Sequence, residues 1–133
     1  MKTKSMLTSE DVEKIAAAAE RHARANNWAV TIAIVDDGGH LLHLLRLDGA
    51  APSTAAIAPE KARLSALTRR ESLAFEDMIN KGRVAFLSAP LTGMLEGAVP
   101  IIVNGDVIGA VGVSGVKSDQ DAAIARAGIA ALD

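Results

Sequence analysis

The chain is 133 residues long, with 14 basic and 16 acidic side chains and a formal net charge of −2. No basic cluster is present and the aromatic residues are confined to Trp28, Phe75 and Phe86, which excludes the stacking platforms and charged tracks of a nucleic-acid binder. Cysteine is absent, which removes disulfides, thiolate nucleophiles and thiolate metal sites together.

Half of the residues are hydrophobic, yet charges interrupt every apolar stretch well short of the roughly 20 consecutive residues a membrane helix needs. The length suits one domain over residues 1–133 with a core of its own. Apolar surface beyond what one core requires is expected to be used in a homo-oligomer. The segment from Met1 to Met6 is basic without the apolar stretch of a signal peptide, so the reading is a cytoplasmic protein with no membrane partner.

Thr8 is an N-cap for a first helix reaching Asn26 or Asn27, with Glu10 and Asp11 in its first turn. Val12, Ile15, Ala16, Ala19 and Ala23 recur at helical spacing as its buried stripe, and His22 falls at the edge of that stripe. Trp28 to Asp36 reads as a buried strand, Asp37-Gly38-Gly39 as a turn, and His40 to Leu47 as the return strand of a hairpin. Proline suits a first helical turn and damages an interior, so the next helix is placed at Pro59 to Arg70, with Ser53–Ala58 left unassigned. Ser72 starts a short helix to Asn80, and Val84–Leu87 is a weak strand before a loop over Ser88–Glu96. Val99–Val103 and Val107–Val113 are strands joined by Asn104-Gly105, a strong signal for a two-residue hairpin turn. Ser118 caps a last helix, with Asp121 three residues on. Hairpins rather than crossovers connect the strands, which implies an antiparallel sheet flanked by helices.

The candidate chemistry is sparse. His40 and His43 form an H-x-x-H pair, but on a strand an offset of three separates the side chains onto opposite faces, and a shared metal would need a bulge. No metal site is assigned. Arg46 ends an apolar strand and is costly to bury unpaired, so it either pairs with Asp36 or Asp48 or offers a guanidinium fork to a carboxylate. Lys61 lies in the first turn of the helix placed at Pro59, where the dipole disfavours a cation. Gly109, Gly112 and Gly115 are not a dinucleotide fingerprint and read as sites of close backbone approach. Ser114 has no histidine base at motif spacing. Glu96, in the loop before Gly97, can act as a general base if partly buried.

Three blocks together resemble the GlcG/HbpS family: Val35-Asp36-Asp37-Gly38-Gly39-His40-Leu41 continued by Arg46 to Ala50, then Lys61-Ala62, then Gly97-Ala98-Val99-Pro100-Ile101 with Gly105, Gly109, Gly112-Val113-Ser114-Gly115, Asp121 and Ala127-Gly128. The resemblance implies a profilin-like three-layer α/β/α fold with a five-stranded antiparallel sheet, and an assembly of two or more copies. Relatives include haem-binding proteins, some using a helical histidine, which makes His22 the candidate haem ligand. The chain departs from the family pattern at Ala98, where a second glycine is usual, and at Pro59, inside a helix that many relatives carry uninterrupted.

The resulting expectation is a small-ligand-binding protein whose pocket is built from Arg46, Lys61 and Gly97, Ala98, Val99 and Pro100, holding a small organic carboxylate, or haem through His22. The alternative is a small catabolic enzyme in which Arg46 and Lys61 hold a substrate carboxylate while Glu96 or Asp36 activates water or moves a proton. A further alternative is a structural module for assembly.

Overall fold

The computed structural model describes residues 1–133. Its elements in chain order are α1 (Ser9–Ala25), β1 (Thr31–Asp36), β2 (Leu41–Arg46), α2 (Thr54–Thr68), α3 (Leu73–Asn80), a 3-10 turn (Val84–Ser88), β3 (Ala98–Val103), β4 (Asp106–Ser114) and α4 (Ser118–Ile129), with a last 3-10 turn at Ala130–Leu132. The strands form one antiparallel sheet in the order β2-β1-β4-β3.

The layering follows from an alternation along the two central strands. On one face, Ile32 and Ile34 of β1 and Val111 and Val113 of β4 meet Val12, Ile15 and Ala19 of α1 and Ile124 of α4 in a cluster of 15 buried residues. The opposite face carries Ala33, Val35 and Ala110, and Ala58, Ala62 and Ala66 of α2 lie against it in a second cluster. Isoleucines and valines therefore face α1 and α4, and mostly alanines face α2. Small residues bury little area each, so that interface depends on close approach and the dispersion it brings. Gly112 sets the distance: a β-carbon there would strike the Ala58 carbonyl and lie 2.6 Å from the Ala62 nitrogen.

Local signals explain most boundaries. Thr8 accepts from the Asp11 amide while the Asp11 carboxylate accepts from the Thr8 amide, a reciprocal cap that fixes the start of α1. Asn27 at φ +57° ends that helix, and the Trp28 amide still donates to Ala23, so β1 begins at Thr31 rather than Trp28. Asn104 and Gly105 both take positive φ, and Val103 faces Asp106 across the two-residue turn.

Four expectations are corrected. α2 starts at Thr54 and runs through Pro59, because Thr54 Oγ1 bonds Thr31 Oγ1 at 2.7 Å and Ala51 O at 2.6 Å, anchoring the first turn to β1. Pro59 then costs the helix only the N–H that would reach Ala55. Val84–Ser88 is a 3-10 turn, not a strand: its apolar residues do not alternate, and Phe86 stacks on Phe75 with centroids 5.2 Å apart. The sheet consequently has four strands, not five. Ser118 is the first residue of α4 and makes no cap; its hydroxyl donates to Glu96 Oε1 at 3.0 Å.

Replacing Gly112 with valine should destabilise the protein by at least about 2 kcal/mol, because the helix backbone cannot retreat without opening the alanine interface. Urea unfolding measures this, and a midpoint equal to that of the wild type would contradict the packing described.

Candidate functional site

Lys61 does not sit in an open pocket. Its ammonium is buried, with Nζ 3.0 Å from Val113 O and 3.3 Å from Asp121 Oδ2, and the two side chains are only 4% and 3% exposed. The lysine extends from α2, on one face of the sheet, to α4, on the other, by passing the point where β3 begins. Gly97 makes that passage possible: a β-carbon there would fall 2.7 Å from Lys61 Nζ and 2.6 Å from Val113 O. Its φ of +138° also suits glycine. The other Asp121 oxygen accepts from the Val116 amide at 3.1 Å. Burial pushes the Asp121 carboxyl above the ordinary aspartate range, against the Val116 amide and Lys61, which act to lower it.

Of the proposed pocket residues, Lys61 and Gly97 are therefore brought together, and Ala98 joins them. Ala98 is buried, its amide donates to Ser72 Oγ at 3.0 Å, and its carbonyl accepts from the Ser72 amide at 3.1 Å. Val99 and Pro100 continue β3, paired with Val111 and Ala110. Arg46 lies elsewhere. It ends β2 at the opposite edge, with Thr31 of β1 and Ser114 of β4 standing between it and β3. Three strand spacings put the two edges about 14 Å apart. Arg46 is exposed and makes no ion pair with Asp36 or Asp48. A single hollow shared by Arg46 and the Gly97–Pro100 segment is not formed within one chain.

The two candidate carboxylates are engaged. Asp36 Oδ1 accepts from the Gly38 and His40 amides, both at 2.9 Å, and lies 3.2 Å from His40 Nδ1, which shapes the β1–β2 turn. Glu96 is half-buried and holds the Ser118 hydroxyl. A bulge does occur between His40 and His43, where Ile34 faces His43 and Val35 faces Leu41. His40 is nonetheless tied to Asp36, while His43 is half-buried beside Glu20 of α1. Burial pushes the His43 imidazole below its ordinary value, and Glu20 acts in the other direction.

His22 is half-buried at the last turn of α1, its ring tilted against Trp28 with centroids 5.9 Å apart. Only its backbone carbonyl is engaged, by Asn26 Nδ2 at 2.9 Å; the imidazole nitrogens bond no protein group. Trp28 also lines an open cleft of about 280 Å³ with Arg24, Asn27, Ala29, Leu47 and Asp48.

A family model described as "Haem degrading protein HbpS-like" matches residues 7–130. The chain belongs to the HbpS-like family. Protein GlcG of Escherichia coli K12 is 54% identical over 114 residues, covering 86% of this chain and 85% of GlcG. Among solved structures, the PduOC:heme complex superposes with a TM-score of 0.87 at 25% identity, covering 97% of this chain and 96% of that one. HbpS superposes with a TM-score of 0.88 at 29% identity over 100% and 94%.

Asp121 is the residue whose role sequence reasoning missed. Three positions into a helix it reads as a first-turn acid, and nothing in its local spacing announces a lysine 60 residues earlier. The one available signal was Lys61 itself, a cation between Glu60 and Arg63 in an alanine-rich segment.

Asp121→Asn should cost about 3–5 kcal/mol, since it leaves a buried ammonium without a counter-charge. The double replacement Lys61→Met with Asp121→Leu should cost less than Asp121→Asn alone. Chemical denaturation of the wild type and the two variants tests this, and a double variant at least as destabilised as Asp121→Asn would refute the coupling. For His43, the depressed folded value means that its stabilising contribution is complete above about pH 6.5 and is lost as pH falls through that lower value. His43→Gln should flatten the stability profile in that window, and an unchanged slope would contradict the assignment.

Proposed function

We propose that this protein binds a small organic ligand, and that haem held through His22 is the reading the geometry favours over a carboxylate clamped by Arg46 and Lys61. The observation that carries it is the unengaged imidazole of His22 against the ring of the only tryptophan, Trp28, which itself lines a cleft together with Arg24. A neutral imidazole is a good donor to haem iron, an indole face suits a flat macrocycle, and a guanidinium suits a propionate. The donor set therefore fits the group. Bound there, haem would supply the redox and ligand-binding chemistry of iron; His22 would hold the metal, and Trp28 and Arg24 would hold the ring and a propionate. A cleft of about 280 Å³ is just below the roughly 300–1,000 Å³ of ordinary ligand pockets, so it would not enclose a macrocycle by itself. The haem complex of PduOC and the family description support the same choice of ligand.

The carboxylate reading loses its second cation, because the Lys61 charge is met by Asp121. What favours keeping it is Arg46, an exposed guanidinium without an ion pair next to the start of α2. The enzyme reading needs the same arginine plus a free base, and both Glu96 and Asp36 already hold hydrogen bonds.

Titrating the protein with hemin should give a saturable Soret shift that His22→Ala reduces at least tenfold in affinity, with the urea midpoint little changed. A Soret shift that His22→Ala leaves intact would refute His22 as the ligand. No shift at all, together with thermal stabilisation by small carboxylates that Arg46→Ala abolishes, would transfer the function to the arginine.

A further inference from the structure

Residues 89–96 form neither helix nor strand, yet they are fastened to α2 at two points. Gly93, at φ +76°, brings its backbone against that of the helix: a β-carbon there would fall 2.5 Å from the Glu60 carbonyl and 2.7 Å from the Lys61 nitrogen. One residue earlier, the Thr92 hydroxyl donates to Glu60 Oε2. Between loop and helix lies an open hollow of about 550 Å³, lined by Ala56, Ile57, Glu60, Thr92, Gly93 and Leu95. That volume falls within the roughly 300–1,000 Å³ of ordinary ligand pockets. Because α2 covers the sheet face opposite α1, the hollow lies on the far side of the sheet from His22.

The walls and the polar groups differ in kind. Ala56, Ile57 and Leu95 present hydrocarbon, with Ile57 half-buried and Leu95 48% exposed. The one charge in the lining is the half-buried Glu60 carboxylate, which enters none of the chain's ion pairs. Its Oε2 is fixed by Thr92, while its Oε1 has no protein partner. Thr92 gives its hydroxyl hydrogen to Glu60, so its oxygen is left as an acceptor. These side chains therefore offer acceptors and no donor, around one unneutralised negative charge.

The geometry points to a binding site for a small primary amine with a hydrocarbon body, its ammonium on Glu60 Oε1 and Thr92 Oγ1 and its chain along Ile57 and Leu95. An ammonium has three donors and no acceptor, the complement of this lining. Its bonds to a carboxylate are charge-assisted, and it supplies the counter-charge that the half-buried Glu60 lacks. A carboxylate ligand would meet repulsion, and an alcohol would bring one donor and no charge. No aromatic ring lines the hollow, so the carboxylate rather than a π face must read the cation. The Gly93 and Thr92 contacts hold loop and carboxylate in place beforehand, which lowers the ordering cost of binding. The site shares no residue with the His22 cleft and does not rest on the haem reading.

Hexylamine is the probe. Titrated into isotope-labelled protein, it should give saturable NMR shifts at the Thr92, Gly93 and Leu95 amides, and hexanoate or hexanol at equal concentration should give none. Glu60→Gln keeps an acceptor for Thr92 while removing the charge, and should weaken binding about tenfold or more. Leu95→Lys, at an exposed position, places a competing ammonium at the mouth and should weaken binding as much without touching the Glu60–Thr92 bond. It decides the matter if Glu60→Gln loosens the loop. His22→Ala should bind the amine as the wild type does. The inference is overturned if hexylamine causes no saturable shift, if either folded variant binds it as the wild type does, or if hexanoate or hexanol binds equally well. Shifts confined to Arg24, Trp28 and Asp48 would also overturn it, by moving the ligand to the other cleft. None of these outcomes depends on whether hemin binds.

Discussion

The Lys61–Asp121 pair is the contact on which the other interactions around the start of β3 depend. It joins layers that the sheet would otherwise keep apart, since α2 and α4 lie on opposite faces and share no core. A lysine is long enough to bridge them only where the sheet ends, and it does so at the first residue before β3. The arrangement then dictates its neighbours. Gly97 has to lack a side chain, Val113 supplies a carbonyl for a second ammonium hydrogen bond, and the Val116 amide holds the remaining carboxylate oxygen. A buried pair of this kind is weak evidence for net stability, because desolvation opposes the attraction, but it is costly to break from one side. Its effect is therefore on geometry: α2, β4 and the start of α4 are fixed relative to one another.

The same logic accounts for what was legible in the sequence. The Thr8 cap, the Asn104-Gly105 turn, the Asp37-Gly38-Gly39 turn and the stripe of Val12, Ile15, Ala19 and Ala23 are local signals, with cause and effect within a few residues, and the structure shows each of them. The alternation of large and small residues along β1 and β4 was also open to reading, and it encodes which face receives two helices and which receives one at close range. The start of α2 was not readable. Pro59 argued locally for a boundary, and the bond that overrides it joins Thr54 to Thr31, 23 residues away. Val84–Leu87 failed for a similar reason, because Phe86 is claimed by Phe75.

The candidate site was less legible than the fold, for a physical reason. Arg46 and Lys61 are both cations near strand or helix ends, and residue type alone treats them alike. Topology separates them completely: one is exposed on the β2 edge without an ion pair, and the other is buried past the β3 edge with its charge met. Only the strand order, with β4 inserted between β1 and β3, decides this, and strand order is a long-range property. Histidines divide in the same way. Spacing singled out His40 and His43 as a pair, yet the turn at Asp36 claims the first and α1 covers the second, while His22, which belongs to no motif, keeps its ring nitrogens unengaged.

Ala98, where the resemblance leads to the expectation of a second glycine, can be given a physical reading. The two positions of the Gly97-Ala98 step face different demands. At position 97 any β-carbon would collide with the ammonium and a backbone carbonyl, and the backbone sits at positive φ. At position 98 the chain has entered β3, pairs with Gly112, and is held by the amide and hydroxyl of Ser72. Opposite a glycine there is room for a methyl group, and Ala98 fills it while remaining buried. The substitution therefore adds interior packing and leaves the outer surface as it was, so a ligand approaching from solvent would not meet it. Pro59 acts on the same helix with equally local effect, removing one N–H from a turn already anchored by Thr54. Ala98 in β3 and Pro59 in α2 are thus each accommodated by a neighbouring contact, through Ser72 for the one and Thr54 for the other.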